Sequence, residues 1–223
     1  MTTSRQELMQ VYHRLYRHYG DLHWWPGGSP LEISVGAILT QNTAWANVEK
    51  AIKRLNETHS LSVKVLGHLP HKRLAPLIKA AGYFNVKARR LKNFISFLQG
   101  HYRGSLKAMF NQATDTLRLQ LLAVNGIGPE TADSILLYAG QKPVFVIDAY
   151  TKRIFSRHRV MPYEKSYEEF QRLFIKHLPV DVYLYNQYHA MLVNIGKDFC
   201  RSRPLCESCP LNGWRGVPPL RTT

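Results

Sequence analysis

One carboxylate in this sequence stands where a carboxylate can do chemistry. Asp148 follows four apolar residues, Val144 to Ile147, and precedes the segment Ala149 to Arg153. A fixed carboxylate beside a reacting carbon stabilises developing positive charge and can take a proton from water. An aspartate in front of a helix is also a common N-cap. The residue taken alone favours the capping role, and one carboxylate can fill both roles because it has two oxygens.

The cysteines form a second group with chemical potential. Cys200, Cys206 and Cys209 lie within ten residues of one another. This clustering is typical of a local site in a reducing compartment rather than of a disulfide framework. Three thiols leave a tetrahedral zinc site one ligand short, so the group alone does not define a metal site.

A glycine pair lies between two amphipathic runs in the segment 117–139. Glycine tolerates positive φ and lets a ligand approach the backbone, so Gly126 and Gly128 permit a very tight helical hairpin. Pro129 suits the first turn of the second helix, whose free amides can bind a phosphate. The amides near these glycines and Glu130 would then hold a nucleic-acid backbone without reading its sequence. A helical hairpin that merely closes a bundle is the alternative.

The elements that position these residues are helices, because apolar residues recur at helical spacing along most of the chain. Ser4 and Glu7 form a capping box, and Ser29 followed by Pro30 marks another helix start. Asn85 is the expected cap of a helix through Leu98. The strand-like run Val144 to Ile147 is too short to support a sheet. The sequence therefore predicts an all-α fold.

The charge of the chain indicates its partner. Lys and Arg outnumber Asp and Glu by 30 to 15, a formal net charge of +15, which is typical of proteins that bind nucleic acid. A basic, soluble surface without that function is the alternative. The N-terminus lacks the apolar core of a signal peptide, and no segment is long and apolar enough to span a bilayer. We expect a monomeric intracellular protein with no membrane partner.

The order of the motifs resembles the helix-hairpin-helix DNA glycosylases of the endonuclease III superfamily. The resemblance covers residues 5–210 and rests on the hairpin, on Asp148 sixteen residues beyond Ala132, and on the C-terminal cysteines. The segments Leu39 to Thr43 and Gly82 to Ala88 resemble the strand-invading turn and the helix that precedes the hairpin in that superfamily. Each motif is weak alone, but their combined order is specific.

The resemblance implies base excision repair of double-stranded DNA that contains damaged bases. Asp148 becomes the expected catalytic residue, and Gln41 is expected to fill the space left by the flipped base, with the solvated turn as its alternative. No cofactor is required for this chemistry. The remaining expected DNA contacts are Asn42, Lys87, Asn125, Gly126, Gly128, Glu130, Thr131, Lys152 and Arg153.

Glu130 stands where the lyases of this superfamily carry a lysine that forms a Schiff base with the sugar. Glutamate cannot form one, so we expect a monofunctional glycosylase that leaves the strand intact. The side chain itself is an ordinary helix-start carboxylate. Ala37 occupies the position of the catalytic glutamate of the adenine-mismatch branch, which argues against that branch. Thymine and uracil mismatch activities stay open, because they too can run on an aspartate alone.

Three tryptophans indicate the substrate class. Trp24, Trp25 and Trp45 would be neighbours in the fold that the resemblance implies. Alkylated purines are cationic, and an indole face attracts a cation by about 0.5 to 2 kcal/mol. This arrangement, with glutamate in the hairpin, resembles the 3-methyladenine DNA glycosylase III branch. Tryptophans that only fill a domain interface are the alternative.

The resemblance also bears on a cofactor. The superfamily's C-terminal loop has four cysteines, but Arg215 stands here where the fourth would be expected. A [4Fe–4S] cluster would need a non-cysteine ligand at that position, and a loop with free thiols is the alternative. Cys200, Cys206 and Cys209 are the expected ligands if a cluster is present.

The implied organisation has two helical lobes with DNA across the cleft between them. The central domain is expected at residues 26–142 with the hairpin at 117–139, the second domain at 1–25 plus 143–199, and a cysteine loop at 200–223. Asp148 is expected at the seam. A non-catalytic DNA-binding module and an RNA-binding or scaffold protein are the alternatives of other classes.

Overall fold

The chain is all-α, as the sequence predicts. The computed structural model describes residues 4–22, 24 and 27–216, and these residues contain helices and turns but no β-strand. The run Val144 to Ile147 is buried without forming a strand. Within the described ranges, no helix combines the length and the apolar character needed to cross a bilayer.

The described residues divide into two compact units. The first contains the residues up to Trp24 and from Pro143 onward, and the second extends from residue 25 to Lys142. The cysteine loop therefore belongs to the first unit instead of standing apart. The helices of the first unit are α1 (Arg5–Tyr19), α10 (Ala149–Arg157), α11 (Tyr167–His177) and α12 (Val182–Asp198), with a short 3₁₀ turn at Trp214–Gly216.

The second unit carries the hairpin. Its hairpin helix at Pro129–Ser134 continues directly into a π-helical turn at Ile135–Ala139, and a 3₁₀ turn at Lys79–Ala81 precedes the long helix that begins at Phe84. The helices are α2 (Pro30–Leu39), α3 (Trp45–Glu57), α4 (Val63–His68), α5 (His71–Leu77), α6 (Phe84–Tyr102), α7 (Leu106–Phe110), α8 (Thr114–Leu122) and α9 (Pro129–Ser134).

The predicted helix starts at Ser4 and Ser29 are confirmed. Ser4 Oγ accepts from the Glu7 amide at 3.2 Å, and the Ser4 amide donates to Glu7 Oε2 at 2.9 Å. Ser29 Oγ accepts from the Glu32 amide at 3.2 Å. These contacts satisfy amides that would otherwise lack partners at the first turns of α1 and α2.

The predicted cap at Asn85 is wrong. α6 begins at Phe84, and the preceding Gly82 and Tyr83 have φ values of +65° and +43°. This left-handed pair turns the chain into the helix, so the start is set by backbone conformation and not by a side-chain cap. α6 then buries Leu91, Phe94, Ile95 and Leu98 against the rest of the unit.

α2 is the central helix of the second unit. Every residue from Ser34 to Leu39 is buried, and the helix packs against α3, α6, α9 and the π-helical turn. A helix that is apolar on all sides belongs in a core. The turn that follows Leu39 is therefore presented from a rigid element. In the first unit, α12 has the corresponding place and packs against α1 and α10.

Candidate functional site

The glycine hairpin has the tight geometry that the sequence predicts at Gly126. This residue has φ +94°, and a Cβ there would lie 2.9 Å from Cδ of Arg90. The Ile127 amide donates to the Val124 carbonyl at 3.0 Å, and Ile127 is 4% exposed. Only glycine fits this backbone and this approach of Arg90. Gly128 has ordinary φ and open space around it, so it imposes no such requirement.

A buried ion pair fixes the second helix of the hairpin to the first. Asp133 is fully buried, and its two oxygens accept from Arg118 Nε at 2.7 Å and Nη2 at 3.1 Å. This two-point contact holds α8 against α9 with defined geometry. Gly128 and Glu130 are exposed at the start of α9, and no described side chain caps that start. Asn125 is exposed at the tip of the hairpin.

Gln41 lies against the hairpin in this conformation. Its Nε2 donates to the Gly126 carbonyl at 3.0 Å and to Thr131 Oγ1 at 2.8 Å, and its Oε1 accepts from Arg90. Insertion into DNA would require these hydrogen bonds to break. The neighbouring Asn42 is exposed and has φ +51°, which places it at the tip of the turn.

Thr131 and Lys87 both direct their side chains into the second unit. For Lys87 this corrects the predicted phosphate contact, whereas the contact of Thr131 with DNA stays a prediction. Thr131 is 6% exposed and accepts from Gln41. Lys87 is 1% exposed, and its Nζ donates to Leu39 O and Ala81 O at 2.7 Å each and to Thr43 Oγ1 at 2.5 Å. Lysine has three N–H donors, and all three have partners.

The surroundings of Lys87 weaken its charged form. Burial lowers the pKa of its amine to about 8, and the nearby Arg90 guanidinium acts in the same direction. The Leu39 carbonyl belongs to the last turn of α2, and Thr43 belongs to the turn that follows. Lys87 therefore connects the end of α2, the Gln41 turn and the 3₁₀ turn before α6.

Tyr83 is a candidate that the sequence did not reveal. Its side chain is 74% exposed, and its φ of +43° is unusual for an aromatic residue. An exposed aromatic ring in a strained conformation beside a basic helix is suited to stacking on a base. The left-handed conformation could not be read from the sequence, because Tyr83 looks like an ordinary helix residue there.

Asp148 caps α10 in the first unit. It is 9% exposed, and its Oδ1 accepts from the Thr151 amide at 2.7 Å, so the predicted capping role is present. Its Oδ2 lies 3.7 Å from His189 Nε2 on α12. Burial alone would raise the pKa of this carboxyl, but His189 and the Thr151 amide outweigh it and hold the pKa below its ordinary value. The carboxylate is therefore charged although it is buried.

The two basic residues that follow Asp148 are used inside the first unit. Arg153 donates to Cys200 O at 2.7 Å and to Gly196 O at 2.9 Å, and its guanidinium lies over the Tyr150 ring. In this structure Arg153 therefore holds the end of α12, and its predicted contact with a phosphate stays a prediction. Lys152 is half-buried with Nζ 5.1 Å from the Tyr163 ring centre, and its contact with DNA stays a prediction.

Two of the predicted pocket tryptophans can be placed. Trp24 is half-buried in the first unit, with Lys197 Nζ 5.9 Å from its ring centre. Trp25 lies outside the described residues. Trp45 lines a cavity of about 410 Å³ in the second unit, together with Glu32, Glu49, Lys53 and Glu57 and the apolar side chains of Ile33 and Ile52.

The described part of the cysteine loop, residues 200–216, brings together three thiols. Cys200, Cys206 and Cys209 line one cavity, but the described residues include no group of three or more Cys, His, Asp or Glu placed to hold a metal ion. Arg215 stands at the position of the missing cysteine, and its Nε lies 3.6 Å from Glu7 Oε1. Burial, and then the neighbouring Cys200 and Cys206, raise the pKa of Cys209 to about 11, which favours the thiol.

Arginines hold this loop in place. Arg157 is 3% exposed and donates from Nη1 to Cys200 Sγ at 3.3 Å and to Arg201 O at 2.6 Å. Arg14 donates to Asn212 O at 3.0 Å. The Cys200 sulfur thus accepts a hydrogen bond from a buried guanidinium.

The sequence matches a known family and named relatives. A family model described as HhH-GPD superfamily base excision DNA repair protein matches residues 35–179. A Methanocaldococcus jannaschii protein, provisionally named a DNA repair glycosylase, is 46% identical over 207 residues, which cover 92% of this chain and 93% of the relative. Endonuclease III of Thermotoga maritima is 29% identical over 181 residues, which cover 81% of this chain and 79% of the relative.

Solved structures share the fold. The Helicobacter pylori 3-methyladenine DNA glycosylase bound to 1,N6-ethenoadenine has a TM-score of 0.74 and 26% identity, and the match covers 86% of this chain and 96% of that one. A trapped covalent complex of endonuclease III with DNA has a TM-score of 0.80 at 23% identity, with 94% of each chain covered. The second likeness concerns the fold alone.

Proposed function

Because the chain belongs to the HhH-GPD superfamily of base excision DNA repair proteins, we propose that it hydrolyses the N-glycosidic bond of alkylated purines in duplex DNA. Family and relatives make it a DNA glycosylase of base excision repair. We further propose that the substrate is an alkylated purine, that the DNA strand stays intact, and that individual residues have the roles given below. Asp148 is the observation that carries the proposal.

Asp148 has the properties that cleavage of this bond requires. When the bond breaks, its electron pair leaves with the base and positive charge develops on the sugar. A charged carboxylate held by the Thr151 amide can stabilise that charge without reorganising. A water oxygen then bonds to C1′, and the carboxylate orients the water and takes its proton. The products are a free base and an abasic site.

Glu130 supports hydrolysis without strand cleavage. Strand cleavage by a lyase needs an amine that condenses with the sugar to form a Schiff base. Glu130 is exposed at the start of α9 and offers a carboxylate instead. Lys87, a lysine of the same unit, is buried with all three donors occupied. Neither residue provides a free amine at this place.

The cavity beside Trp45 supports an alkylated purine as the substrate. Alkylation of a ring nitrogen makes the base cationic and its glycosidic bond labile. The cavity combines an indole with three carboxylates and one amine, so its lining carries more negative than positive charge. These groups belong to Trp45, Glu32, Glu49, Glu57 and Lys53. The indole and the carboxylates favour a cation. Acidic groups in one cavity of a chain with net charge +15 favour a cationic ligand over an anionic one.

The hairpin and the turn support a grip on duplex DNA. The exposed start of α9, with Gly128 and Glu130, provides backbone amides for a phosphate. Asn42 and Tyr83 are the exposed side chains that can reach the bases. We assign Gln41 to bracing the turn against the hairpin until DNA displaces its hydrogen bonds.

The test is base release from methylated duplex DNA by the full chain. Released bases are separated by chromatography, and strand breaks are scored before and after hot alkali. We expect free methylpurines and breaks that appear only after alkali. Parallel reactions use duplexes with a thymine or a uracil opposite guanine, because a single aspartate can also catalyse the release of these two bases.

Each result decides between the alternatives. Breaks before alkali would show a lyase and contradict the monofunctional assignment. Release of thymine or uracil without methylpurines would overturn the substrate class. No release from any duplex, with duplex binding retained, would leave a DNA-binding module.

A substitution tests the role assigned to position 130 directly. The Glu130→Lys variant places an amine at the start of α9, and borohydride would then trap it covalently on DNA with an abasic site. The wild type is the matched control and should give no trapped complex. Trapping of the wild type would reveal an amine elsewhere and would contradict the proposed hydrolysis.

A further inference from the structure

Both oxygens of the Asp148 carboxylate face a polar group of the protein. Oδ1 accepts from the Thr151 amide at 2.7 Å, within its own helix. Oδ2 faces Nε2 of His189 at 3.7 Å, from α12. His189 is 5% exposed and Asp148 is 9% exposed, so both side chains are shielded from solvent. One partner of the carboxylate is therefore close in sequence, and the other comes from a helix that is distant in sequence.

The approach of His189 is set by the packing of α10 against α12. Gly196 lies two turns beyond His189 on the same face, and a Cβ there would lie 2.7 Å from Cβ of Tyr150. The absence of that Cβ lets α12 come close to the first turn of α10. Arg153 strengthens the approach through its hydrogen bonds to Gly196 O and Cys200 O. The distance between His189 and Asp148 therefore depends on two rigid helices.

We infer that His189 is a positioning residue for the catalytic step: it fixes the orientation of the Asp148 carboxylate and keeps it charged in its buried setting. This inference rests on the proposed function of Asp148. His189 does not contact the DNA in this assignment and acts only through the carboxylate. A histidine and an aspartate that orient each other are a recurring arrangement in enzyme sites.

No other described charge competes with His189 for this carboxylate. Lys152, one turn along α10, lies over the Tyr163 and Phe170 rings, and Arg153 is bonded to carbonyls of α12. The Tyr167 hydroxyl, from α11, accepts from the Ile147 amide at 3.2 Å. Among the described charged side chains, His189 is therefore the group whose removal should change the ionisation of Asp148.

The test is a carbon-detected NMR titration of the Asp148 carboxyl in the full chain, with Asp148→Asn used to assign the signal. His189→Leu removes the imidazole, and His189→Gln keeps an N–H donor at the same reach. His158→Leu is the matched control, because His158 is a histidine of the same unit that is 6% exposed. We expect the Asp148 pKa to rise by about one unit in His189→Leu, tenfold in the ionisation constant, and by less in His189→Gln.

A second readout follows base release under single-turnover conditions across pH. On the acid side, the rate of His189→Leu should fall about tenfold below that of the wild type, while affinity for a duplex with an abasic-site analogue stays unchanged. His158→Leu should keep the wild-type profile. If His189→Leu does not fold, His189→Gln decides the question.

An Asp148 titration that is the same in the wild type and in the His189 variants would overturn the inference. The NMR result does not depend on activity. A wild type that releases no base would therefore defeat the proposed function, whereas an unchanged carboxyl in an active enzyme would defeat only the role of His189.

Discussion

Each unit buries a charged side chain at the end of a helix, Lys87 in the second unit and Asp148 in the first, and their surroundings act on these two charges in opposite ways. Lys87 lies at the C-terminal end of α2, where burial and Arg90 lower the pKa of its amine to about 8. This change weakens the charged form. Asp148 lies at the N-terminal end of α10, where His189 and Thr151 outweigh burial and lower its pKa. This change strengthens the charged form.

The difference separates a structural charge from the one that we propose to be reactive. Lys87 donates all three N–H groups to neutral oxygens, and no donor remains for a substrate. Asp148 has only one oxygen committed to a hydrogen bond from the backbone, and its other oxygen faces an ionisable partner. A buried charge is therefore a candidate for chemistry when its surroundings favour the charged form and leave an atom available.

The largest expected effect comes from neutralising the reactive charge. Asp148→Asn keeps an acceptor for the Thr151 amide but removes the negative charge. We expect single-turnover base release to fall about a thousandfold or more, because the charge on the sugar loses its stabilising group. Affinity for a duplex with an abasic-site analogue should remain close to that of the wild type, measured by fluorescence anisotropy.

Asp181→Asn is the matched control for this variant. Asp181 caps α12 in the same unit and accepts from the Leu184 amide at 2.6 Å. Both variants keep their caps, so both should unfold near the wild-type temperature. Equal activity of the two variants would show that the Asp148 carboxylate is only a cap, and the contrast with Lys87 would disappear.

Removing the structural charge should change stability and binding instead of chemistry. Lys87→Met leaves the carbonyls of Leu39 and Ala81 without their donor. We expect a loss of about 2 kcal/mol in the free energy of unfolding. DNA affinity should also fall, because the Gln41 turn loses its connection to the end of α2. Denaturant unfolding and anisotropy measure the two effects.

Lys92 provides the control on the same helix. Its Nζ donates to Leu66 O, Gly67 O and Leu69 O at 2.6 to 3.0 Å, at the end of α4. Lys92→Met should therefore lower stability in a similar way without weakening DNA binding. A loss of affinity in both variants would mean that general destabilisation, and not the turn, explains the effect of Lys87.

The glycine hairpin and Lys87 also show what the sequence could and could not predict. Gly126 was predictable, because its requirement is local to the backbone of the hairpin. The Ser4 and Ser29 caps were predictable for the same reason. The prediction of Lys87 as a phosphate contact was wrong, since a lysine one turn into a helix gives no local sign that it is buried.

The pairing of His189 with Asp148 was beyond the reach of the sequence, because it depends on contacts between distant segments. The two residues are brought together by the packing of α10 on α12 and by the absence of a side chain at Gly196. Periodicity indicates which face of a helix is buried, but it does not indicate which neighbour that face meets. The left-handed Tyr83 was missed for a related reason, since its conformation is set by the preceding turn.

A smaller effect should appear in the pH dependence of stability. The Lys87 amine loses its proton near pH 8 in the folded chain and near its ordinary value of 10.5 in the unfolded chain. Between these values the unfolded chain binds more protons, so the free energy of unfolding from this group rises with pH. The wild type should therefore gain stability relative to Lys87→Met from pH 8 to 10.5. A constant difference between the two would mean that Lys87 keeps an ordinary pKa.

The smallest effect is expected at the cysteine loop, where Arg157 is another buried charge. Arg157 resembles Lys87, because its donors meet the Cys200 sulfur and the carbonyl oxygens of Arg201 and Ser202. If these contacts hold the loop, a strong chelator should leave the unfolding temperature unchanged, whereas Arg157→Met should lower it. A Cys200→Ala variant should lower the unfolding temperature less than Arg157→Met does, since it removes only one of the contacts of Arg157. A large fall with chelator, together with absorption near 400 nm that the chelator abolishes, would show that a cluster holds the loop and that Arg157 serves it.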